Sequence, residues 1–358
     1  RHAMKKICIF FVLLLNTSLL MAASFVVTNV ADYGRNEIPI QGSLRYFIEN
    51  AKNGAYITFN PSVFTSSGGV IFLKRPLVVG SDVHIDGIGA NVVISSQVSW
   101  QDFELSSSGA ECLRKAGVLS QDKNDFSKIY IRGKANNVSV VNLTFSNDFG
   151  HPPAWWTERV QDDCLKDSIN VIEYADNVLI GHNRFLNCGD ECVSVIQTDL
   201  DAPKNVVIEN NIFSKVNKSI LIKGSFNGLE SSLEPTIKVK VLNNFFDETQ
   251  QRNPRVQDAF VEILGNVVYK WKTSGMAFSG RNKLIINNNH FIKGSDSDAL
   301  LFLNNTKEEL QSYRGNVFVG DGVKRPAAES DYSNRVEKRL LPEDVLDIEA
   351  VRKMAGPR

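Results

Sequence analysis

Two groups of charged side chains in the middle of the 358-residue chain could together bind an anionic ligand. The first group is acidic and comprises Asp162, Asp163, Asp167, Asp190 and Glu191. The second group follows it along the chain and is basic, with Lys218, Arg252 and Arg255. Carboxylates are the hard oxygen ligands that Ca²⁺ prefers, while Lys and Arg bind carboxylates as a point charge or as a planar fork. The two groups therefore predict a site where a divalent cation and basic side chains share an anionic ligand.

Each of these residues also has an ordinary structural interpretation. The acids could be solvated at corners of the fold, and Lys218 could be a surface lysine. Arg252 could hold a strand corner through an ion pair. His182 could act as a general base because imidazole titrates near neutral pH, but its place in an apolar run favours a buried hydrogen-bonding role.

The elements that must position these side chains form a loose repeat. Runs rich in Val and Ile end in Asn followed closely by an aromatic residue, at residues 137–145, 177–185, 205–213, 237–246, 261–269 and 283–291. Val and Ile favour strands, and Asn tolerates the left-handed backbone of tight corners. Because the aromatic residues recur 22 to 40 residues apart without helical periodicity, the repeat predicts a solenoid of strands.

The fold class predicted is all-β, a right-handed single-stranded parallel β-helix. A β-sandwich is the alternative, but the runs lack the Asn-Gly or Asp-Gly turns that join hairpins, and parallel strands require long returns. Residues 42–50 read as a short amphipathic helix that could cap the N-terminal end of the core. Some intervals between the recurring aromatic residues are longer than one coil requires. The extra length predicts long side loops beside the middle coils.

The N-terminus has the pattern of a secretory signal peptide. Lys5 and Lys6 precede an apolar run that ends in small residues near Ala23, and Arg1-His2-Ala3 resembles a tag remnant. A buried core helix is the alternative for this run. We expect residues 1–23 to be removed, leaving one domain over residues 24–358 that is secreted to an extracellular or periplasmic space.

The charge and composition exclude several classes of protein. The 40 basic and 40 acidic residues cancel, and loss of residues 1–23 removes three basic residues and no acidic one. With 43% hydrophobic residues, the chain is neither disordered nor collagenous. It is not a uniformly basic nucleic-acid coat either. We therefore expect no nucleic-acid and no membrane partner, and we expect a monomer.

Four cysteines remain after the predicted cleavage, namely Cys112, Cys164, Cys188 and Cys192. An even number in an oxidising compartment predicts one or two disulfides. The three possible full pairings stay open at this point. Zinc is not supported, since the spacing lacks paired C-x-x-C or His ligands.

From about residue 40 to the C-terminus, the chain resembles the pectate lyases of the first polysaccharide lyase family. The segments that carry the resemblance are Gly42-Ser-Leu-Arg45, Val83-His-Ile-Asp-Gly-Ile-Gly-Ala90, Ile129-Tyr-Ile-Arg132 with Val141-Asn-Leu143, Val178-Leu-Ile-Gly-His182 and Gln251-Arg-Asn-Pro-Arg-Val256. The resemblance implies a β-helix that cleaves polygalacturonate, an acidic polysaccharide, by Ca²⁺-assisted β-elimination.

The resemblance implies metal ligands in two segments. Asp167 lies where the family has a Ca²⁺ ligand, and Asp190 matches the first of two ligands spaced four apart. Ser194 occupies the second of those positions and brings no charge, so Glu191 is the alternative ligand through a shift in register.

The resemblance also implies roles for the basic residues. Lys218 matches a lysine that binds the substrate carboxylate, and Arg252 matches the catalytic base of an Arg-x-Pro-x-x-Arg signature. Gln257 replaces the last Arg of that signature, so part of the substrate carboxylate clamp is missing. Arg255 could compensate, although we expect it to face the opposite side of the strand.

Two other functions remain open on the sequence. Gly189-Asp-Glu-Cys192 also resembles the Gly-Asp-Asp-Cys segment of polygalacturonases, which are β-helical hydrolases. A uronan-binding β-helix without strong catalysis is the second alternative, because Ser194 and Gln257 each replace a charged family residue.

Overall fold

The computed structural model describes residues 23–51, 54–67, 69–96, 127–146, 167–186, 188, 190–198, 201–227, 234–297, 302–304, 308–320 and 355–357. The predicted signal peptide before Ala23 lies outside these ranges, as do Asp162, Asp163, Cys112 and Cys164. Among the residues described, no helix is long and apolar enough to span a bilayer.

The repeats stack as coils of a right-handed parallel β-helix, which confirms the predicted fold class. Three parallel sheets run along the stack, and each coil contributes one short strand to each sheet in the regular part of the chain. The first sheet contains Ala23–Val27, Ala55–Phe59, Val83–Asp86, Asn136–Val141, Asp176–Gly181, Lys204–Glu209, Lys238–Leu242, Phe260–Leu264, Asn282–Asn287 and Glu308–Arg314. The second contains Leu77–Val79, Ile129–Ile131, Ile169–Ile172, Glu191–Ile196, Lys218–Lys223, Arg255–Gln257, Met276–Ser279 and Phe302–Asn304. The third contains Val70–Leu73, Val93–Ser96, Thr144–Ser146, Arg184–Leu186, Ile212–Ser214, Phe245–Asp247, Val267–Tyr269, His290–Ile292 and Val317–Val319.

A separate antiparallel pair, Phe226–Asn227 with Glu234–Pro235, lies outside the three sheets. It follows the strand Lys218–Lys223 of the second sheet along the chain.

In each strand, every second residue faces inward, and these inward-facing residues build the core. Val140, Ile180 and Ile208 occupy matching positions in successive coils and are fully buried. Aromatic rings stack in the same way on the third sheet, where Phe185 and Phe213 have ring centroids 4.9 Å apart. The spacing is that of hydrogen-bonded strands, so identical side chains in register pack face to face.

The recurring Asn residues of the sequence have two different structural roles. Asn210 and Asn243 have φ of 54° and 51°, as predicted for residues at left-handed corners. The Asn residues that come directly after such corners form a buried ladder along the coils, comprising Asn183, Asn211, Asn244, Asn266, Asn289 and Asn316. The Asn183 amide oxygen accepts from the backbone N–H of Leu143, and each later amide oxygen accepts from the backbone N–H of the preceding member. The ladder thereby satisfies buried backbone groups where the chain turns.

His182 takes the left-handed corner position that Asn holds in neighbouring coils. It follows the strand Asp176–Gly181 and has φ of 54°, so it lies at a corner instead of within the apolar strand as expected; the residue is half-buried and its ring Nδ1 is buried. Its backbone N–H donates to Glu209 O at 3.1 Å.

The N-terminal helix spans Leu44–Asn50 and is capped by Ser43, whose Oγ accepts from Tyr46 N. Leu44 and Ile48 join the end of the hydrophobic core. Arg45 is buried and forms two hydrogen bonds with Asp32, at 2.6 and 2.8 Å. The helix therefore covers the N-terminal end of the core, as the sequence predicts.

Candidate active site

The charged residues that the sequence singles out come together at one edge of the second sheet. Asp167 lies two residues before the strand Ile169–Ile172, while Glu191 and Lys218 are the first residues of the next two strands of the sheet. Glu191 lies opposite Lys218 in the register, and Lys218 lies opposite Gln251, the neighbour of Arg252. Stacking of successive coils therefore brings residues up to 85 positions apart into one row.

Three carboxylates converge in this row. One oxygen from each of Asp167, Asp190 and Glu191 lies within 4.8 Å of the other two. Asp167 Oδ1 accepts from the backbone N–H of Glu191 at 3.1 Å, and Asp167 Oδ2 accepts from Asn170 Nδ2 at 3.1 Å. These bonds fix the orientation of Asp167, because both of its oxygens already have a donor.

Basic side chains contact the other two carboxylates. Lys218 Nζ lies 3.0 Å from Asp190 Oδ1, and the Lys218 side chain is 2% exposed, so it is not an ordinary surface lysine. Arg252 Nη1 contacts Glu191 Oε1. Arg252 has φ of 61°, in the left-handed region, and occupies the corner before the strand Arg255–Gln257. The row thus runs from acidic to basic along the helix axis.

A further basic residue, Lys128, was missed by the sequence analysis. It is fully buried, and its Nζ lies 3.4 Å from Ser168 Oγ. Burial lowers the pKa of Lys128 to about 7, and the charge of Asp167 partly opposes this shift. Its sequence signal is weak, since a lysine directly before the strand Ile129–Ile131 resembles any polar residue at a strand start.

The cluster brings three carboxylates and three basic groups together within the part of the chain that the structure describes, and Lys128, with its lowered pKa, is only partly charged near neutral pH. Its carboxylates are Asp167, Asp190 and Glu191, and the basic groups around them are Lys128, Lys218 and Arg252. Buried charges are stable only when they are paired in this way.

Ser194 lies further along the strand that Glu191 begins. It faces outward between the core residues Val193 and Val195 and lies opposite Asn170 in the register. Its Oγ is buried and has no hydrogen-bond partner among the residues that the structure describes, and the same holds for Asn170 Oδ1. At the usual rise of a strand, Ser194 is about 10 Å from Glu191 along the backbone. Glu191 therefore completes the three-carboxylate cluster, and a ligand role for Ser194 stays a prediction.

Arg255 and Gln257 face the same side of their strand, with the core residue Val256 between them. The expectation that Arg255 faces the opposite side is wrong, because the two residues are two positions apart and strand side chains alternate. Arg255 lies opposite Leu221, and Gln257 lies opposite Lys223. Neither forms a hydrogen bond or ion pair with the three carboxylates in the part of the chain described.

A disulfide joins Cys188 to Cys192, with the Cα atoms 5.2 Å apart. It is one of the bridges that the cysteine count allows. The bridge encloses Asp190 and Glu191 in a short loop, and Cys192 is buried in the core. The loop that carries two of the three carboxylates is therefore anchored at both ends.

The donor set of the cluster fits a hard divalent cation. Carboxylates supply oxygen ligands that carry charge, and their oxygens lie close enough together to share one ion with radial distances typical of Ca²⁺. Two of the carboxylates are at the same time engaged by Lys218 and Arg252.

The chain is similar to plant pectate lyases. It is 26% identical over 279 residues to pectate lyase 1 of Cryptomeria japonica, covering 76% of this chain and 63% of that protein. It is 24% identical over 255 residues to a pectate lyase of Zinnia elegans, covering 71% and 54% respectively. The chain spans about 60% of the length of the curated relatives it matches. No protein-family model matches it.

Among solved structures, Jun a 1, the major allergen from cedar pollen, aligns with 94% of this chain and 89% of its own. The sequence identity is 19% and the TM-score is 0.47. The predicted family resemblance is confirmed by the curated relatives: over about three quarters of its length, this parallel β-helix resembles the pectate lyases.

Proposed function

We propose that this protein is a lyase that cleaves polygalacturonate by Ca²⁺-assisted β-elimination. The observation that carries the proposal is the row in which Asp167, Asp190 and Glu191 meet Lys218 and Arg252. These residues stand at the positions that the resemblance assigns to metal binding, substrate binding and catalysis. The names of the curated relatives support the same activity.

The reaction determines which charges the site must supply. A base removes the proton on the carbon next to the uronate carboxylate, and the electron pair forms a carbon–carbon double bond as the glycosidic oxygen leaves. That oxygen takes a proton from solvent. Negative charge builds up beside a group that is already anionic, so fixed positive charges must stabilise the transition state.

Asp167, Asp190 and Glu191 are the residues that would hold the metal. When bound, Ca²⁺ would supply positive charge to the uronate carboxylate and so make the neighbouring proton more acidic. The carboxylates themselves are held in place by the hydrogen bonds of Asp167 and by the disulfide beside Asp190.

Arg252 is the proposed base, and Lys218 the proposed ligand of the substrate carboxylate. Arg side chains have pKa values above about 12, so Arg252 can accept a proton only where the surrounding positive charge favours its neutral form. Lys218 contributes to that positive charge. Arg255 and Gln257 would bind more distant parts of the polymer from the same outer face of the sheet.

We further propose that the protein is secreted after removal of residues 1–23. Residues 24–358 would then act as one monomeric domain on an acidic polysaccharide, without nucleic-acid or membrane partners.

The experiment mixes the protein with polygalacturonate and CaCl₂ at alkaline pH and follows the ultraviolet absorbance of unsaturated product. The wild type should produce absorbance that increases with time, and Arg252→Met should not. Folded wild-type protein without any absorbance contradicts the proposal. New reducing ends without absorbance indicate a hydrolase, and polymer binding without either signal indicates a uronan-binding β-helix.

A further inference from the structure

The outer face of the third sheet carries an apolar stripe over its later strands. Phe213 points into the core, so its strand neighbour Ile212 points outward. The outer stripe comprises Ile212, Phe245, Val267 and Ile292, whose exposures are 3%, 0%, 7% and 4%. On the two preceding strands, the residues in register with Ile212 are the exposed Arg184 and the half-buried Thr144. The stripe therefore begins at the strand Ile212–Ser214.

Residues 355–357, which we call the C-terminal anchor, contact the start of this stripe. Ala355 is 7% exposed and belongs to the same buried cluster as the outer stripe. The backbone N–H of Gly356 donates to Asn210 O at 2.8 Å. A Cβ at Gly356 would lie 2.8 Å from Ile212 Cδ1, and Gly356 has φ of 85°, which favours glycine. The absence of a side chain therefore lets the anchor lie close to the sheet.

The anchor contacts a part of the solenoid far from the point where the last described strand ends. In the third sheet, Val317–Val319 lies four strands beyond Ile212–Ser214, a separation of about 19 Å at the usual strand spacing. The chain runs to Gly320 at the far end of this sheet and is next described at Ala355, against the earlier strand. The anchor thus adds contacts to a stack in which each coil otherwise contacts only its neighbours.

Such contacts matter most at the open end of a solenoid. An inner coil is held by a neighbour on each side, but the last coil has only one, so opening starts at the end and spreads inward. Phe245, Val267 and Ile292 share one buried cluster with Ala355. Their strands therefore cannot separate from one another without breaking the contacts of the anchor as well.

The anchored strands lead directly to the basic end of the charged row. The chain continues from Ile212–Ser214 into Lys218–Lys223, and from Phe245–Asp247 to Arg252. Opening of these coils from the C-terminal end would therefore displace Arg252 first and Lys218 next.

We propose that the C-terminal anchor is a clamp that keeps the coils from Phe245–Asp247 onward from opening. Release of the anchor lets these coils open and leaves the earlier coils closed. The clamp goes beyond the proposed function, since it depends on packing and requires neither metal nor substrate.

Hydrogen exchange of the full-length protein tests the clamp, with backbone amides followed by mass spectrometry of peptides. Ala355→Asp places a charge in the apolar cluster and should detach the anchor. Exchange in Phe245–Asp247, Val267–Tyr269 and His290–Ile292 should then accelerate at least about tenfold. Exchange in Val83–Asp86, near the other end of the solenoid, should change by less than about twofold.

Pro357→Asp is the matched control, because it adds the same charge two residues away at an exposed position. Its exchange should match that of the wild type within about twofold. Circular dichroism checks that each variant is folded. If Ala355→Asp does not fold, Ala355→Ser takes its place, with an expected acceleration of at least about threefold from the buried hydroxyl.

Faster exchange confined to the later coils in the Ala355 variant supports the clamp. Unchanged exchange there, equal acceleration in Pro357→Asp, or acceleration that extends evenly to Val83–Asp86 would each overturn it. Acceleration restricted to residues 210–212 and 355–357 would also overturn it, since the anchor would then dock without holding the later coils. The measurement needs neither Ca²⁺ nor polymer, so absence of lyase activity leaves its result unaffected.

Discussion

Lys218 Nζ lies 3.0 Å from Asp190 Oδ1, and this contact joins the basic part of the charged row to its acidic part. Lys218 is almost fully buried, while Asp190 is 24% exposed. The protein therefore holds the Lys218 ammonium group in a set position beside the partly exposed Asp190. Such preorganisation lowers the cost of binding the anionic ligand.

Replacement of Lys218 should weaken substrate binding. In Lys218→Met, we expect KM for polygalacturonate to rise and kcat/KM to fall by about 10²-fold or more, since a preorganised charge beside the reacting carboxylate is lost. Steady-state kinetics at saturating CaCl₂ measure both constants. Lys223→Met, an exposed lysine at the end of the same strand, should retain nearly full activity. Equal losses in the two variants would refute a specific role for Lys218.

The disulfide should stabilise the fold and the geometry of the carboxylates at the same time. In a Cys188→Ser, Cys192→Ser double variant, loss of this short cross-link should cost about 2 kcal/mol of unfolding free energy. Because Asp190 and Glu191 lie inside the loop, Ca²⁺ affinity should also decrease. Urea unfolding and calorimetry measure the two effects. A variant with lower stability but unchanged Ca²⁺ affinity would show that the bridge does not position the carboxylates.

Lys128 should make the metal-free protein more stable at alkaline pH. Burial lowers its pKa from 10.5 to about 7 in the folded protein. Between these values the unfolded chain binds the proton and the folded protein does not, so the unfolding free energy rises with pH by up to ~1.4 kcal/mol per pH unit. Below about pH 7 this contribution is absent.

Lys128→Met provides the comparison, with urea unfolding measured in the presence of a chelator. The wild type should gain roughly 2–3 kcal/mol relative to Lys128→Met between about pH 7 and pH 9. Parallel stability curves for the two proteins would contradict a lowered pKa for Lys128.

The asparagine ladder should be a major source of stability. Asn244 Oδ1 accepts from the backbone and side-chain nitrogens of Asn211, at 3.0 and 2.9 Å. Asn244→Ala leaves these buried donors without an acceptor, so we expect a loss of roughly 3 kcal/mol in unfolding free energy. Asn136→Ala, at an exposed strand end, should change it by less than about 0.5 kcal/mol. Similar values for the two variants would show that the ladder contributes little.

The sequence predicts the architecture because the same local signals recur in every coil. Val and Ile alternate with polar residues in each strand, and Asn recurs at the corners, so the stack could be inferred without knowing how the coils align. The role of the second Asn in pairs such as Asn210-Asn211 could not be inferred, since it depends on contacts between coils. The position of His182 was misjudged for the same reason.

The candidate site is predictable in its members but not in its pairings. Asp167, Asp190, Lys218 and Arg252 were recognised from motifs, while the choice between Glu191 and Ser194 depends on where the strand Glu191–Ile196 begins. Lys128 was missed because its partner Asp167 is 39 residues away, and the length of the intervening coil does not reveal their register. Long-range alignment of coils is therefore the information that local patterns lack.

The chemistry of bond cleavage tests the central claim most directly. Polygalacturonate is cleaved by the wild-type protein with CaCl₂ in water enriched in heavy oxygen, and the products are analysed by mass spectrometry. β-Elimination predicts unsaturated products without label from water, and their loss in Arg252→Met. Saturated products that carry the heavy oxygen at the new reducing end, without any unsaturated fragment, would show hydrolysis and contradict the account.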